Sequence, residues 1–191
     1  MKILLLGDSI MAYMPKGLIG NKEDEEIKHC YENMGVGTLY NYVWKRINIL
    51  DADINILLIG INNILRPDCD YDDKESLEDV LDKLKELIND ICTKSSGKLI
   101  VQALYPTDSY SRKVSIDYVN NVLENYCKEN NIPYLDLTSE LADEQGLLKN
   151  EYSNDGLHPN KECYDIIVQR INDKINSLFT KKVINQKNSK K

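Results

Sequence analysis

Histidine is nearly absent from this chain. Of 191 residues, only His29 and His158 carry an imidazole. A histidine acting as general base at neutral pH is therefore one of two residues. The two lie far apart in sequence with no clustered partners, so a metal centre is not expected. The five cysteines, Cys30, Cys69, Cys92, Cys127 and Cys163, are scattered, odd in number and never spaced C-x-x-C. They form neither a disulfide framework nor a zinc ribbon and are expected as reduced thiols in a cytoplasmic protein. A basic excess is also missing. The formal net charge is −7, which leaves nothing to displace the counterions of a nucleic acid, so no nucleic-acid partner is expected. Long hydrophobic runs are lacking too. The longest, residues 54–64, contains three asparagines and a glycine and is too short to span a bilayer. The apolar run after Lys2 leads straight into Gly7-Asp8, so no secretory leader is expected. Neither G-x-x-x-x-G-K-[ST] nor G-x-G-x-x-G follows that run, which disfavours nucleotide binding.

What is present suits one domain. Hydrophobic residues make up 42% of the chain, enough for a sizeable core. Residues 1–179 are expected to form that domain. Residues 180–191, rich in lysine, are expected to be a disordered, solvated tail. Along the domain, aliphatic runs alternate with helically spaced segments. Strands are expected at residues 2–6, 27–31, 54–59, 98–104 and 132–135. Leu77, Val80, Leu81, Leu84, Leu87, Ile88 and Ile91 fall on one face of a helix over 75–93. Further helices are expected over 39–47 with Thr38 as cap, over 114–129, and over 160–178 with Pro159 in its first turn. Strands alternating with helices of this length predict a three-layer α/β/α sandwich. Its sheet would be parallel, five-stranded and flavodoxin-like, with order 2-1-3-4-5.

The ends of these strands carry the chemistry. Ser9 follows the first strand in Gly7-Asp8-Ser9-Ile10. There it either caps a helix or acts as a nucleophile, and for the second role it needs a neighbouring base. Asp8 points elsewhere on leaving the strand and suits a structural hydrogen bond. Gly35 follows the second strand and offers a backbone N–H without a side chain in the way. Asn62 follows the third and offers a side-chain amide. Each has an ordinary reading as a turn glycine or a capping asparagine. Together with Ser9 they lie on one edge of one sheet, the arrangement that an oxyanion hole requires. His29 falls within the second strand and reads as a packed or surface residue. His158 lies in Asn154-Asp155-Gly156-Leu157-His158-Pro159, three residues after Asp155. That segment fits an Asp-Gly turn before a helix. It equally fits a carboxylate that orients an imidazole and stabilises its protonated form.

These four segments resemble the motif blocks of the SGNH hydrolases, the GDSL-like lipase/esterase family. Gly7-Asp8-Ser9-Ile10 is similar to the nucleophile block and Gly35 to the second block. Gly60-Ile61-Asn62-Asn63 is similar to G-x-N-D, and Asp155-Gly156-Leu157-His158-Pro159 to D-x-x-H-P. The blocks occur in order, and the likeness spans residues 1–178. It implies a cofactor-free esterase with Ser9 as nucleophile, His158 as base and Asp155 as orienting acid. The oxyanion hole would comprise the N–H groups of Ser9 and Gly35 and the Asn62 side chain. Asn63 departs from the family's usual aspartate, which puts local loop geometry in question. The nucleophile elbow G-x-S-x-G of the α/β-hydrolases is absent.

Substrate preference is expected from residues 11–26, 66–73 and 105–113. The last of these carries Tyr105, Asp108, Tyr110, Arg112 and Lys113. Twelve tyrosines against one phenylalanine suit a polar substrate more than a long acyl chain. The expected substrate is a small-molecule ester, with a small acyl group such as acetyl on a carbohydrate-like alcohol. A lysophospholipid or thioester substrate, acyl transfer at the same site, and a non-catalytic flavodoxin-like binding protein are the alternatives.

Overall fold

The computed structural model describes residues 1–47, 51–64 and 76–188, with side chains described to residue 179. Its elements are β1 (Lys2–Gly7), α1 (Ser9–Tyr13), β2 (Glu25–Cys30), α2 (Val36–Thr38), β3 (Ile54–Leu58), α3 (Ile61–Ile64) and α4 (Leu77–Lys94). They continue with β4 (Lys98–Gln102), α5 (Tyr110–Glu129), β5 (Tyr134–Leu135), α6 (Thr138–Leu141) and α7 (Lys161–Asn188). The strands form one parallel sheet in the order β2-β1-β3-β4-β5, as the alternation of runs predicts.

The centre of the sheet is dry. Ile3, Leu4, Leu5 and Leu6 of β1 have no exposed surface, and β3 is buried along its whole length. A strand buried on both faces needs apolar residues at every position, which is why these segments read as continuous aliphatic runs. At the edge, β2 is only half buried. The helices cover the faces through their apolar stripes. In α4, Val80, Leu81, Leu84, Leu87, Ile88 and Ile91 are buried. The start of α4 is set by a reciprocal cap. The Asp79 N–H donates to Ser76 Oγ at 3.1 Å, and the Ser76 N–H donates to Asp79 Oδ2 at 3.0 Å. Trp44 Nε1–H donates to Asp90 on α4 at 2.9 Å. The Tyr164 hydroxyl ties α7 to α1 through the Ile10 carbonyl at 2.7 Å.

The register brings the strand ends level. Gly7 pairs with Cys30 on one side and with Leu58 on the other. The segments that leave β1, β2 and β3 therefore emerge on one edge of the sheet. Ligand sites of open α/β folds lie along this carboxyl edge.

Four expectations are corrected. Thr38 caps nothing. The chain is already helical from Val36, and Thr38 has helical angles with no side-chain cap bond. The helical run then widens to a π turn over Leu39–Val43 and tightens to a 3-10 turn over Trp44–Arg46. Pro159 stands before α7 rather than in its first turn and pairs with Ser153 in an isolated bridge. The cap of α7 is Asn160, whose Oδ1 accepts the Cys163 N–H at 3.1 Å. The backbone of residues 180–188, expected as part of a disordered tail, continues α7 to Asn188. The expected loop 66–73, with Cys69, lies outside the described residues. Cys30, Cys92, Cys127 and Cys163 are free thiols. Among the described residues, no helix is long and apolar enough to cross a membrane.

Candidate active site

Ser9 is the first residue of α1, and its cap is the neighbouring Asp8. Asp8 Oδ1 accepts the Ile10 N–H at 3.0 Å. The capping role open to Ser9 is thus taken by Asp8, and the Ser9 hydroxyl is left for another partner. That partner is His158, with Oγ and Nε2 3.0 Å apart across 149 residues of sequence. On the far side of the ring, His158 Nδ1 lies 2.7 Å from Asp155 Oδ2. An ionised Asp155 fixes the proton on Nδ1 and leaves Nε2 to accept the Ser9 hydroxyl proton.

Hydrogen bonds hold the Asp155–His158 segment in shape. Asp155 Oδ1 accepts the Leu157 N–H at 3.0 Å and the His158 N–H at 2.8 Å. The Ser153 hydroxyl lies 3.0 Å from the same oxygen and 2.7 Å from the His158 carbonyl, with one proton to share between them. Partial burial pushes the Asp155 carboxyl up. The bonds from the His158 ring, the two N–H groups and Ser153 outweigh that and hold it well below the usual carboxylate range. Gly156 is required at its position for two reasons. Its φ is +75°, and a Cβ there would come within 2.0 Å of the Asp108 carboxylate. The Asp108 N–H donates to the Gly156 carbonyl at 2.9 Å, which anchors the loop to the segment after β4.

The candidate oxyanion donors gather opposite. Ser9 and Gly35 open α1 and α2, where N–H groups have no intrahelical acceptor. Asn62 Nδ2 donates one proton to the Met34 carbonyl at 3.0 Å, and its second N–H has no partner among the described residues. Asn63, in place of the family's usual aspartate, ties the start of α2 to α3, the turn that follows β3. Its Oδ1 accepts the Val36 N–H at 3.0 Å, a bond that an amide oxygen makes as well as a carboxylate oxygen. A Cβ on Gly35 would press on that oxygen at 3.3 Å, so the missing side chain serves this contact as well as access to the N–H.

Ser9, Asn62 and His158 line one cavity of about 300 Å³, together with Tyr13, Glu32, Asn33 and Leu157. The Tyr13 ring packs against the His158 ring, with centroids 5.2 Å apart and planes tilted by 53°. Tyr13, Glu32, Asn33, Leu157 and the loop tie Ser153 were not singled out from sequence. Tyr13 fell within a segment expected to set substrate preference, and Asn33 and Leu157 within the motif blocks of Gly35 and His158. A second cavity of about 380 Å³ lies beyond Asp155 and is lined by Asp108, Lys149, Asn150 and neighbouring residues. The 105–113 segment contributes to the site differently than expected. Tyr105 is buried, with its hydroxyl on Gln102 Oε1 at 2.7 Å, and Lys113 pairs with Asp117. His29 is half-buried on β2, 3.4 Å from the Tyr31 hydroxyl, and takes no part in the site.

Asp8 is the unusual group beneath this site. It has no exposed surface, and its Oδ2 has no hydrogen-bond partner among the described residues. Burial pushes its carboxyl up to about 7 against the opposing pull of the Ile10 N–H and His158.

A comparison with protein families places residues 5–166 in one family, the GDSL-like Lipase/Acylhydrolase family. The match covers most of the chain, and the protein belongs to that family of ester-bond hydrolases. Solved structures share the fold. A GDSL-like lipase from Bacteroides thetaiotaomicron superposes with a TM-score of 0.79 at 16% identity, covering 93% of this chain and 89% of that one. A lipolytic G-D-S-L family protein from Veillonella parvula gives 0.70 at 22% identity, covering 94% and 98%. An acetylxylan esterase from Geobacillus stearothermophilus gives 0.74 at 16% identity, covering 91% and 93%. No match was found among curated protein sequences.

Proposed function

We propose that the protein is a serine esterase that removes a small acyl group, acetyl foremost, from a carbohydrate-like alcohol. The hydrogen-bonded line from Ser9 Oγ through His158 to Asp155, with separations of 3.0 and 2.7 Å, carries this reading. In it, Ser9 Oγ attacks the ester carbonyl carbon while its proton passes to His158 Nε2. The carbonyl oxygen becomes an oxyanion and takes hydrogen bonds from the N–H groups of Ser9 and Gly35 and from the second N–H of Asn62. Collapse expels the alcohol, which leaves with the proton from Nε2. Water, deprotonated by the same nitrogen, then releases the acid from Ser9. Asp155 keeps the ring in the correct tautomer and balances its charge while it holds two protons.

The cavity supports a short acyl group. At about 300 Å³ it lies at the small end of ligand sites, and its lining is largely polar. The likeness in fold to an acetylxylan esterase supports the same choice.

A fluorophosphonate probe together with p-nitrophenyl esters tests the reading. The wild type is expected to be labelled and the Ser9→Ala variant to stay unlabelled. Turnover is expected to fall steeply from acetyl to octanoyl. Labelling that persists in Ser9→Ala would remove Ser9 as nucleophile. Absence of both labelling and turnover would favour a binding protein. Equal rates on acetyl and octanoyl esters would remove the small-acyl assignment, and an acylated sugar formed from added sugar would mark transfer instead of hydrolysis.

A further inference from the structure

The cavity at Ser9 carries one charge that the reaction does not use. Glu32 lines it with Tyr13, Asn33 and Leu157, and no lysine or arginine lines it among the described residues. Glu32 is exposed, so its carboxylate meets the solvent-filled space directly. The nearby Glu32 carboxylate is the chief influence that raises the Tyr13 hydroxyl, with burial and Asp155 adding smaller effects. The Tyr13 ring is 48% exposed and tilted against the imidazole of His158 at 5.2 Å. An exposed aromatic face beside a carboxylate is the chemistry that recognises a cation.

The side of the site follows from the mechanism. The departing alcohol takes its proton from His158 Nε2, so it leaves past that ring and the tyrosine packed against it. The oxyanion donors, by contrast, come from the ends of β1, β2 and β3. We propose that Tyr13 and Glu32 form the alcohol subsite and select esters whose leaving alcohol carries a positive charge, such as an amine or quaternary ammonium, over anionic ones. The proposal deepens the esterase reading and rests on it for the direction in which the alcohol leaves. A hydroxylated neutral alcohol is accepted through the same carboxylate. An anionic one faces the Glu32 carboxylate, with no lysine or arginine to meet it among the described lining residues.

Three acetate esters of similar size separate these cases: acetylcholine, its uncharged analogue with a tert-butyl group in place of trimethylammonium, and acetoxyacetate. A unit charge about 5 Å from a solvated carboxylate gains or loses roughly 4-fold at low salt, so kcat/KM is expected to differ by about 16-fold between cation and anion. The order should be cation, neutral, anion, expressed mainly in KM. About 1 M salt should compress it. In Glu32→Gln the cation-to-anion ratio should fall toward one. Tyr13→Phe, which keeps the ring, should retain more of the preference than Tyr13→Leu. Choline titrated into labelled protein should shift the NMR signals of Tyr13 and His158 in the wild type and not in Glu32→Gln.

Turnover of all three esters without this order, or an order that survives Glu32→Gln, overturns the cation subsite and leaves the esterase reading standing. Choline shifts lost in Glu32→Gln, in a protein that cleaves none of the esters, support the cation subsite and overturn the esterase reading. Absence of both the shifts and the order removes the subsite.

Discussion

The two halves of the candidate site are built by different means. Ser9 and Asn62 follow the buried strands β1 and β3 and Gly35 follows the half-buried edge strand β2, all paired into a sheet in which Leu4, Leu5 and Leu6 have no exposed surface. Asp155 and His158 stand in an irregular loop held by hydrogen bonds to Asp155 Oδ1, with a glycine at positive φ between them. The first half is rigid because it is part of the fold. The second is rigid because one carboxylate organises the backbone around it. Changes in the core strands that carry the first half should therefore appear in stability as well as activity. Damage to the second should appear in activity alone.

The largest effect tests the junction of the halves. Ser9→Ala and His158→Ala should each lower kcat by about 10⁴-fold or more while leaving the thermal midpoint close to wild type. A residual rate within 10-fold of wild type for either would break the proposed line between the halves. Asn62→Ala should follow, with a loss of about 10²–10³ in kcat for one oxyanion donor. If only KM changes, Asn62 binds substrate and does not serve the transition state.

Asp8→Asn probes the buried half through pH. Burial raises the Asp8 carboxyl to about 7, so the folded state holds its proton more tightly than the unfolded chain does. Below about pH 4 both states are protonated and the group is neutral for stability. Between about pH 4 and 7 the unfolded chain gives up the proton that the folded state keeps, so stability falls across that window and levels off above 7, where the folded state carries an unpaired buried charge. An asparagine keeps the cap to Ile10 without the charge. The variant should gain on the order of 4 kcal/mol over wild type at pH 8 and little at pH 4, read from denaturant midpoints. An equal gain at both values would show that the charge is not the cause.

The smallest effect belongs to the loop. Ser153→Ala removes a hydroxyl proton shared between the Asp155 carboxylate and the His158 carbonyl, worth about 1–2 kcal/mol. It should lower kcat by roughly 3- to 10-fold with little change in unfolding. A variant that loses stability without losing activity would show that the loop is held as part of the fold, and the contrast between the halves would fail.

Much of this was legible in the chain because it rests on local pattern. The aliphatic runs at residues 3–6 and 54–58 are uninterrupted because both faces of those strands are covered, and α4 shows its stripe in seven apolar residues. Ser9, Gly35 and Asn62 could be put on one edge because a parallel sheet puts every strand's carboxyl end there. The start of α5 at Tyr110 was missed because its first turn is polar and largely exposed, so no apolar spacing marks it. The π and 3-10 turns after Thr38 were missed because the apolar pattern does not distinguish ladders of different step. Tyr105, expected in a segment that sets substrate preference, is buried instead, because a tyrosine in a loop gives no sign of whether its hydroxyl finds a buried partner.

Sequence alone determined the layer architecture, the strand order and the residue types available for acyl chemistry, since these depend on periodicity and on short blocks whose members are neighbours in the chain. The tertiary structure decided what depends on distance. It brings Ser9 within 3.0 Å of a histidine 149 residues away, lays the Tyr13 ring on that histidine and turns Glu32 into the same cavity. No local propensity encodes those meetings. They exist because hydrophobic burial packs the strands and helices into one arrangement, and the contacts between their loops follow from it.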